Sequence, residues 1–440
     1  MALRRDTICA LASGPPPAAI ATLRVSGPGV RALISTRLSI TELKPRHASL
    51  VDLYSASRDI IDSGLAIFMP GPASYTGEDT LEISLHGGRI ITELALKSIM
   101  AAGVRLAEPG EFTRRAFEAG KLDLTRAEAV ADLIDAESEA QLAQALKQMD
   151  GALETLYEGW RTDLTTCLSL LEASIDFPDE EDAPQRVDAP VRVALTGLQA
   201  NLQKALEQGN VTERIRDGFK IAILGKPNAG KSTLLNQLAK RDAAIVTDIP
   251  GTTRDIIEVR LTLGGYLVWI SDTAGLRETA DIVEAEGVRR AMKVAEEADL
   301  RLWLYDSQEA FESDHLQPGD FIVANKCDLG RPENVSRETF RITAKTGEGV
   351  AALESEIIDR LSSLTQNAGA PMITRARHRQ GIERALAYLN QARDHLESQM
   401  GAEFVAEDVR RASRELGTLT GHIDPETVLG AVFSSFCIGK

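Results

Sequence analysis

The chain has 440 residues, of which 43% are hydrophobic and 26% charged, and its formal net charge is -16. That length allows about three ordinary domains, and the composition is typical of a globular protein. The acidic balance argues against a protein whose whole surface grips nucleic acid, because phosphate binding depends on Lys and Arg; any RNA contact must come from a local basic patch or from a partner.

The cysteines and the hydropathy of the chain indicate the redox compartment and whether the protein spans a membrane. The four cysteines, Cys9, Cys167, Cys327 and Cys437, lie far apart and form no C-x-x-C pair. Neither a disulfide framework nor a zinc site is indicated, and a reducing cytoplasm is expected. No apolar run approaches the roughly 18 residues of a membrane-spanning helix, so no membrane association is expected. Residues 1–10 do not resemble a signal peptide, because their apolar stretch is short and runs into three prolines.

The first part of the chain has a mixed pattern. Residues 19–25 (AIATLRV) and 81–85 (LEISL) predict strands, and residues 93–101 predict a helix, which together indicate an α+β domain. Arg24 and Glu82 are charged residues inside the strand-like runs. Because one face of a strand points inward, each charge lies either on a solvated face or in a site, and the pattern alone favours the solvated face.

Beyond Pro109 the chain becomes helical and rich in alanine. Residues 125–128 (TRAE) fit a capping box, which predicts a helix start there. A second helical pattern places apolar residues at three- and four-residue steps and predicts a packing stripe without chemistry. The stripe consists of Leu156, Trp160, Leu164, Leu168, Leu171 and Ile175.

Strand-like and helix-like segments then alternate from residue 216 to about 362, as in an α/β domain, and helical character returns after Gln366. Because the termini of a compact domain often lie close together, the α/β unit is interpreted as an insertion into one helical domain. The predicted domains are residues 1–118, residues 119–215 with 366–440, and the inserted residues 216–365.

The most specific motif is residues 225–232 (GKPNAGKS), a full G-x-x-x-x-G-K-S match between an apolar run and a helix-prone segment. Strand, glycine-rich turn and helix start appear in the order of a phosphate-binding loop. Lys231 is expected to reach the terminal phosphates and the Ser232 hydroxyl to ligate Mg²⁺. The alternative, an ordinary glycine turn, agrees less well with the eight-residue pattern and its flanks.

Three clusters follow in the order of a GTPase. Residues 251–255 (GTTRD) offer Thr253 as a switch residue that completes the Mg²⁺ shell. Asp272 opens an Asp-Thr-Ala-Gly motif after a strand-like run, placing a carboxylate near the metal. In residues 325–328 (NKCD) the Asp328 carboxylate can accept both N–H groups on the guanine edge but not the adenine edge. These motifs predict a site for GTP and Mg²⁺.

The GTP-binding residues predicted from these motifs are Asn228, Ala229, Gly230, Lys231, Ser232, Thr233, Gly251, Thr252, Thr253, Asp272, Thr273, Ala274, Gly275, Asn325, Lys326 and Asp328.

Two positions depart from the common GTPase pattern. Residues 343–345 (TAK) occupy the place of the last base-contacting loop, with Thr where Ser is commoner; the departure is mild because a backbone amide makes that contact. Leu276 stands where many switch GTPases have a glutamine that orients the attacking water. An apolar side chain cannot do this, so the water-positioning group and the additional positive charge must come from elsewhere.

With these motifs, the chain closely resembles the MnmE/TrmE family of tRNA wobble-uridine modification GTPases, within the TrmE-Era-EngA-YihA-Septin-like group. The resemblance covers essentially the whole chain. It rests on residues 23–27, 75–79, 86–88, 109–113, 121–124, 176–181, 225–232, 272–278 and the C-terminal residues 433–440 (FSSFCIGK). It implies an α+β N-terminal folate-binding-like domain, an all-α helical domain and an inserted Ras-like α/β GTPase domain.

The resemblance also supplies what Leu276 lacks. It implies a K⁺ ion, bound when two GTPase domains meet, with Asn228, Thr247, Ile249 and Thr252 as its ligands. It also adds Thr247, Asp248, Ile249 and Pro250 to the predicted GTP-binding residues. Oxygen ligands suit a hard cation, and Pro250, where the family often has alanine, removes an N–H but no carbonyl. The resemblance implies that Glu284 is the catalytic acid that orients the water. From the sequence pattern alone, Glu284 is better interpreted as a surface glutamate at a helix start.

A folate site is implied for the first domain by the same resemblance. The family's first domain holds formyl- or methylene-tetrahydrofolate in a dimer, and the matching positions are Arg24, Glu82, Lys121 and Lys440. Carboxylate to pterin and cation to the carboxylate tail are sensible pairings. The resemblance thus reverses the solvated-face interpretation of Arg24 and Glu82. It also leaves Cys437 open between a small buried hydrophobe and a catalytic or folate-adjacent thiol.

The implied function is K⁺-dependent GTP hydrolysis in a homodimer. The homodimer acts with the flavoprotein MnmG (GidA) in a heterotetramer or larger complex. Together they install a carboxymethylaminomethyl or aminomethyl group at carbon 5 of the wobble uridine of certain tRNAs. The one-carbon unit comes from folate, and FAD and NADH act through the partner. The alternative is a GTP-switched ribosome-assembly or RNA-binding factor without modification chemistry of its own. Six arginines offer an RNA contact in either case, although a solvated helix face is the favoured interpretation: Arg375, Arg377, Arg379, Arg410, Arg411 and Arg414.

Overall fold

The computed structural model describes residues 6–176, 183–241, 257–272, 292–311, 315–330, 339–366 and 373–421, together with 423, 429–430, 432–433, 436 and 438–439. The chain divides into two compact units. The first unit comprises Met1–Ala131, Met149–Thr166 and Val409–Lys440, and the second comprises Asp132–Gln148 and Cys167–Asp408. The three-domain division remains a prediction.

The elements that form the two units are twelve strands and eleven helices within the described residues. The strands are β1 Ile8–Leu11, β2 Ile20–Ser26, β3 Ser49–Tyr54, β4 Ile60–Met69, β5 Thr80–His86, β6 Arg105–Leu106, β7 Phe219–Leu224, β8 Ile257–Leu263, β9 Tyr266–Asp272, β10 Leu300–Asp306, β11 Phe321–Asn325 and β12 Thr339–Arg341. The helices are α1 Val30–Arg37, α2 Arg89–Met100, α3 Glu111–Glu118, α4 Leu124–Asp135, α5 Glu139–Met149, α6 Ala152–Asp176, α7 Ala183–Asp217, α8 Lys231–Arg241, α9 Val350–Gln366, α10 Ala376–Glu397 and α11 Ala402–Thr420.

The sheet of the first unit has the strand order β3-β4-β5-β2-β1-β6. The pair β1 and β6 is parallel and the other neighbours are antiparallel. Leu23, Val25, Leu81 and Ile83 are fully buried on one face, against helices α1 and α2. The predicted strands at residues 19–25 and 81–85 and the predicted helix at 93–101 are confirmed. Alternation directs Arg24 and Glu82, which pair across β2 and β5, to the other face.

The start of α4 differs from the predicted capping box. Asp123 Oδ1 accepts hydrogen bonds from the Thr125 amide at 2.7 Å and from the Thr125 hydroxyl at 2.6 Å, so Asp123 precedes and caps the helix. Thr125 and Glu128 are fully buried within α4. The prediction of a capping box at residues 125–128 is therefore wrong, because an aspartate two positions earlier already satisfies the first amides.

A capping box does occur at the start of α5. Ser138 Oγ accepts a hydrogen bond from the Gln141 amide at 3.2 Å, and Gln141 Oε1 accepts one from the Ser138 amide at 3.0 Å. This reciprocal pair is the S-x-x-Q form of the motif. It fixes the connection between α4 and α5.

The packing stripe of α6 is only partly the predicted one. Trp160, Leu164 and Leu171 are buried, as predicted. Leu156, Leu168 and Ile175 are only half-buried, and Leu153, Tyr157 and Cys167 complete the buried face instead. The helix is rotated relative to the prediction because Tyr157 and Cys167 fill the core positions that were assigned to Leu156 and Leu168.

The sheet of the second unit has the strand order β12-β11-β10-β7-β9-β8. All neighbours are parallel except β8 and β9, which form an antiparallel hairpin. Helices α8 and α9 contribute apolar side chains, including Leu234 and Leu353, to the core around this sheet. The alternating α/β pattern predicted between residues 216 and 362 is thus present. Among the described helices, none is long and apolar enough to cross a membrane.

Candidate functional site

The phosphate loop lies between the central strand β7 and helix α8, which begins at Lys231. Its backbone takes positive φ at Gly225 (142°), Asn228 (62°) and Gly230 (96°). A Cβ on Gly225 would overlap the Leu304 carbonyl, and one on Gly230 would overlap the Asn325 amide group. The two motif glycines are therefore required both by conformation and by space, as expected of a loop that curves its amides inward.

Lys231 folds back onto this loop. Its Nζ donates to the Gly225 carbonyl at 2.7 Å and to the Lys226 carbonyl at 2.9 Å, and the residue is 5% exposed. The ammonium group therefore lies against the loop backbone. This is the position from which a phosphate enclosed by the loop can be neutralised.

Parallel pairing brings the predicted nucleotide motifs to one edge of the sheet. In the strand register, Ile223 lies opposite Asp272 and Asp306 lies opposite Asn325. The carboxyl ends of β7, β9, β10 and β11 therefore meet at the same edge. Ligands of such α/β sheets bind at this edge, near the point where the strand order reverses.

Asn325 joins the base-binding motif to its neighbours. Its Nδ2 donates to the Ala229 carbonyl at 2.7 Å, and its Oδ1 accepts from the Ala344 amide at 2.9 Å. The side chain is 2% exposed. The three segments 225–232, 325–328 and 343–345, which are far apart in sequence, are thus held together by one carboxamide.

Lys326 and Asp328 differ in their surroundings. Lys326 has a positive φ of 61°, and its Nζ donates to Asp306 Oδ2 at 2.8 Å. This hydrogen bond lowers the pKa of the Asp306 carboxyl. Asp328 is exposed, as a carboxylate must be if it is to reach a guanine edge. Cys327 between them is half-buried, and burial raises the pKa of its thiol.

Thirteen predicted residues lie outside the described residues, and their predicted roles remain predictions: Thr247, Asp248, Ile249, Pro250, Gly251, Thr252, Thr253, Thr273, Ala274, Gly275, Glu284, Cys437 and Lys440. For Asp272 the structure describes the backbone of the strand end only.

In the first unit, Arg24 and Glu82 form an ion pair. Arg24 Nε donates to Glu82 Oε1 at 2.8 Å, and the two side chains are 18% and 28% exposed. A second Arg24 nitrogen, Nη1, donates to the Gly439 carbonyl at 3.3 Å, and the guanidinium lies 5.7 Å from the centre of the Phe112 ring. A solvated strand face does not hold its charges this way; the pair is half-buried and tied to the C-terminal segment.

The C-terminal segment lies against the first strand. A Cβ on Gly439, whose φ is 103°, would overlap the Leu11 carbonyl. Phe433 and Phe436 pack in the core cluster around Leu124. Gly439 therefore lies between Arg24 and the end of β1. The exposed Lys121 side chain, another predicted folate ligand, lies beside Gly77, with its Cε 3.7 Å from the place of a Cβ there.

Two residues near these sites were given no role from the sequence. Asp306, the partner of Lys326, ends strand β10, and the rule that ligand residues follow parallel strands was the available signal. Tyr75 lies within a motif that supports the family resemblance. Its hydroxyl is hydrogen-bonded to Thr113 Oγ1 at 3.0 Å; burial raises its pKa, and the charge of Arg24 opposes this increase.

At least two of the six arginines proposed for RNA contact are held by ion pairs within the chain. Arg375 pairs with Asp132 at 2.7 Å and Arg379 with Glu213 at 2.8 Å. The buried Cys9 and Cys167 have thiol pKa values raised to about 11 by burial, which makes them poor nucleophiles. Within the described residues, no group of three or more His, Cys, Asp or Glu side chains is placed to hold a metal ion.

Comparison with known proteins agrees with this arrangement. Residues 7–121 match the family model for the GTP-binding protein TrmE N-terminus, and residues 124–437 match that for the MnmE helical domain. The "tRNA modification GTPase MnmE" of Hyphomonas neptunium is 54% identical over 99% of both chains. The chain belongs to the MnmE family of tRNA modification GTPases.

Other members of the family are similarly close. The proteins of the same description from Maricaulis maris and Caulobacter vibrioides are 47% and 48% identical, and each alignment covers 99% of this chain and at least 99% of the relative. Among solved structures, the G domain of the T. maritima FeoB iron transporter aligns with 33% of this chain and 98% of that chain, at 24% identity and a TM-score of 0.26. That overlap is too small to bear on the fold.

Proposed function

We propose that this MnmE-family chain binds and hydrolyses GTP to drive the modification of carbon 5 of the wobble uridine of certain tRNAs. The observation that carries GTP binding is Asn325. This side chain joins the phosphate loop, the predicted guanine-reading loop and residues 343–345, so phosphate and base recognition belong to one assembled edge of the sheet.

The proposed cations fit the residues that the structure describes. Asn228 is exposed at a positive φ in the phosphate loop, so its carboxamide oxygen is accessible to a cation outside the loop. Ser232 is exposed in the first turn of α8, as the hydroxyl of a Mg²⁺ ligand must be. We assign K⁺ to Asn228, Thr247, Ile249 and Thr252, and Mg²⁺ to Ser232 and Thr253. K⁺ supplies positive charge where negative charge develops on the phosphates, and Glu284 orients the water.

The proposed folate site also fits the described residues. Arg24 and Glu82 place a cation and a carboxylate side by side on the open face of the sheet, next to the C-terminal segment. A carboxylate accepts the N–H groups of a pterin, and a cation binds the glutamate tail of a folate. We assign Arg24, Glu82, Lys121 and Lys440 to formyl- or methylene-tetrahydrofolate, and Cys437 to a neighbouring catalytic or folate-adjacent role.

The remaining parts of the proposal concern partners and location. The active form is a homodimer that works with the flavoprotein MnmG in a heterotetramer or larger complex, which supplies FAD and NADH. tRNA is the macromolecular substrate, and the setting is cytoplasmic. These assignments are supported by the membership of this chain in the MnmE family.

Analysis of bulk tRNA tests the function. In a strain that lacks the gene, nucleoside digests of tRNA should accumulate wobble uridine without the carbon 5 substituent, and the wild-type gene should restore it. A normal level of modified uridine in the deletion strain would contradict the proposal. A variant with Lys231→Ala should fail to restore modification, because the phosphate loop loses its ammonium group.

Calorimetry separates this proposal from a GTP-switched assembly factor. Such a factor is not expected to bind folate at the Arg24–Glu82 pair beside the C-terminal segment. Titration of the full chain with formyl-tetrahydrofolate should release or absorb heat with a saturable profile. A flat titration, with GTP binding intact, would favour the assembly factor.

A further inference from the structure

The connection between α4 and α5 makes a dense set of polar contacts within the second unit. We call residues 132–144 the elbow. Their partners are the β8–β9 hairpin, the end of α7 and Arg375, and none of these partners belongs to the predicted GTP or folate residues. The side-chain hydrogen bonds of the elbow to α7 and Arg375 join residues 68 to 243 positions apart in sequence.

The elbow holds the hairpin at two places. The Ala140 amide donates to the carbonyl of Gly265, in the hairpin turn, at 3.0 Å. Glu137 Oε1 forms an ion pair with Arg260 Nη1, in the middle of β8, at 3.0 Å. The Arg260 guanidinium also lies 5.1 Å from the centre of the Trp269 ring on the opposite strand β9. The elbow therefore contacts the turn and β8, and Arg260 links β8 to β9 within the hairpin.

The elbow also holds the chain where it enters the sheet. Gln141 Nε2 donates to the Arg216 carbonyl at 2.7 Å, and Gln144 Nε2 donates to the Thr212 carbonyl at 2.9 Å. Asp132 Oδ1 accepts from Arg216 at 2.9 Å and from Arg375 at 2.7 Å. These carbonyls belong to the last turns of α7, directly before strand β7 and the phosphate loop.

The other end of the same hairpin lies at the nucleotide edge. Asp272, the last residue of β9, pairs with Ile257, the first residue of β8, and lies opposite Ile223 of β7. Each strand has seven residues, so the hairpin is a ribbon of about 20 Å with Asp272 at one end and the elbow contact at the other. In sequence, β8 follows and β9 leads into the two segments with the predicted switch motifs.

The contact between the elbow and its partners leaves some buried polar atoms without hydrogen bonds. Within the described parts of the chain, the buried Gln144 Oε1 and Arg260 Nε have no hydrogen-bond partner. A cleft of about 250 Å³ lies between the elbow, the end of α7 and Arg260. Buried polar atoms without partners are costly, so these two atoms weaken the contact between the elbow and the hairpin.

We propose that the α4–α5 elbow senses the nucleotide through the β8–β9 hairpin, and that Glu137 and Arg260 are the positioning pair that couples GTP hydrolysis to tRNA modification. The inference rests on the proposed GTP hydrolysis. Neither residue belongs to the proposed nucleotide site; the pair acts by fixing the elbow to the hairpin, whose opposite end lies at the nucleotide edge of the sheet.

Hydrogen–deuterium exchange on the full chain tests the sensing step. Amide exchange of residues 132–148 should differ by about threefold or more between the GDP-bound protein and the protein with a non-hydrolysable GTP analogue. In Glu137→Ala this difference should disappear, while nucleotide affinity stays within about twofold. Glu297→Ala, which breaks an exposed ion pair with Lys220 of strand β7, is the matched control and should keep the difference.

The coupling step has its own readout. Glu137→Ala should hydrolyse GTP at the wild-type rate but lower the fraction of modified wobble uridine in cells. The reversed pair Glu137→Arg with Arg260→Glu should regain part of this fraction relative to Glu137→Arg alone, which a general loss of stability would not produce.

Three results would overturn the proposal. One is amide exchange of residues 132–148 that is the same in both nucleotide states, while nucleotide binding protects residues 225–232 from exchange. Another is an equal effect of Glu137→Ala and Glu297→Ala. The third, absence of protection at residues 225–232, would mean that GTP binding itself fails and would remove the basis of the coupling.

Discussion

Asn325 donates a hydrogen bond of 2.7 Å from Nδ2 to the carbonyl of Ala229, which fixes the predicted base-reading loop to the phosphate loop. Its Oδ1 is occupied by the Ala344 amide, so both ends of the carboxamide are used inside the protein. The residue therefore organises the nucleotide site from within. Guanine recognition is proposed for Asp328, whose side chain is exposed.

Replacement of Asn325 by Ala should weaken nucleotide binding sharply. It removes two buried hydrogen bonds and leaves the Ala229 carbonyl and the Ala344 amide without their partner, at a cost of about 2 kcal/mol or roughly 30-fold in affinity. Titration with a fluorescent GDP analogue measures the change. Asn201→Ala, on an exposed position of α7, is the control. An affinity within twofold of wild type would show that the carboxamide does not hold the site together.

The Asp328→Asn variant should change base preference rather than fold. A carboxylate accepts two N–H groups of guanine, whereas a carboxamide offers one donor that suits the carbonyl of xanthine at the same edge. GTP affinity should fall by about 100-fold and XTP affinity should rise above that of wild type. Competition of the two nucleotides against a fluorescent analogue tests this. Parallel loss of both would mean that Asp328 supports the loop instead of reading the base.

Hydrolysis should be much faster in K⁺ than in Na⁺ at equal ionic strength, and Asn228→Ala should remove most of this difference. The reason is that Na⁺ is smaller and prefers shorter oxygen distances than a site built for K⁺ offers. Phosphate release at saturating GTP is the measurement, and Asn236→Ala on the exposed face of α8 is the control. Equal rates in the two salts would refute the K⁺ assignment.

The nucleotide motifs could be placed from sequence because each follows a strand, and parallel strands bring their carboxyl ends together. Residues 225–232, Asp272 and residues 325–328 are accordingly at one edge of one sheet. Asp306 was missed although it obeys the same rule, because no motif surrounds it. The joining role of Asn325 was also missed, since it depends on the packing of segments about 100 residues apart in sequence.

Local patterns alone were less reliable in the helices. The residues 125–128 fit a capping box, but the helix already begins at Leu124, and Asp123 accepts hydrogen bonds from the Thr125 amide and hydroxyl. The true box at Ser138 and Gln141 carries the same signature. For Arg24 and Glu82, strand alternation favoured a solvated face. Their half-burial depends on the C-terminal segment, whose position strand alternation cannot indicate.

Removal of the Arg24 charge should weaken folate binding without affecting GTP hydrolysis. In Arg24→Met the aliphatic stem remains beside Phe112 while the cation that faces Glu82 is lost. Hydrogen bonds to charged groups contribute about 1.5–3 kcal/mol, so affinity for formyl-tetrahydrofolate should fall roughly 10- to 100-fold in calorimetry. Arg31→Met, which also removes a paired arginine of the first unit, is the control and should bind folate normally. A similar loss in both variants would mean a damaged domain.

Arg115 should control the acid stability of the first unit. It is 7% exposed, pairs with Asp6, Glu78 and Glu111, and donates to the Asp6 carbonyl. The pKa of the Asp6 carboxyl is lowered, first by its hydrogen bond with Arg105 and also by Arg115. Burial works to raise the pKa of Glu111, but hydrogen bonds from Arg105, the Glu108 amide and Arg115 outweigh it and leave that pKa lowered.

A carboxyl whose pKa is lower in the folded state stabilises the protein above its unfolded pKa, near 4, and loses this contribution as the pH falls through the folded value. Arg115→Met should therefore lower the free energy of unfolding by about 3 kcal/mol at pH 7. The difference from wild type should shrink below pH 4, as Asp6 and Glu111 become protonated in both proteins. Denaturant unfolding followed by circular dichroism at several pH values measures this. Arg114→Met, which breaks the neighbouring exposed pair with Glu118, should change little at any pH. A loss for Arg115→Met that is the same at pH 3 and pH 7 would mean that packing, not charge, explains its effect.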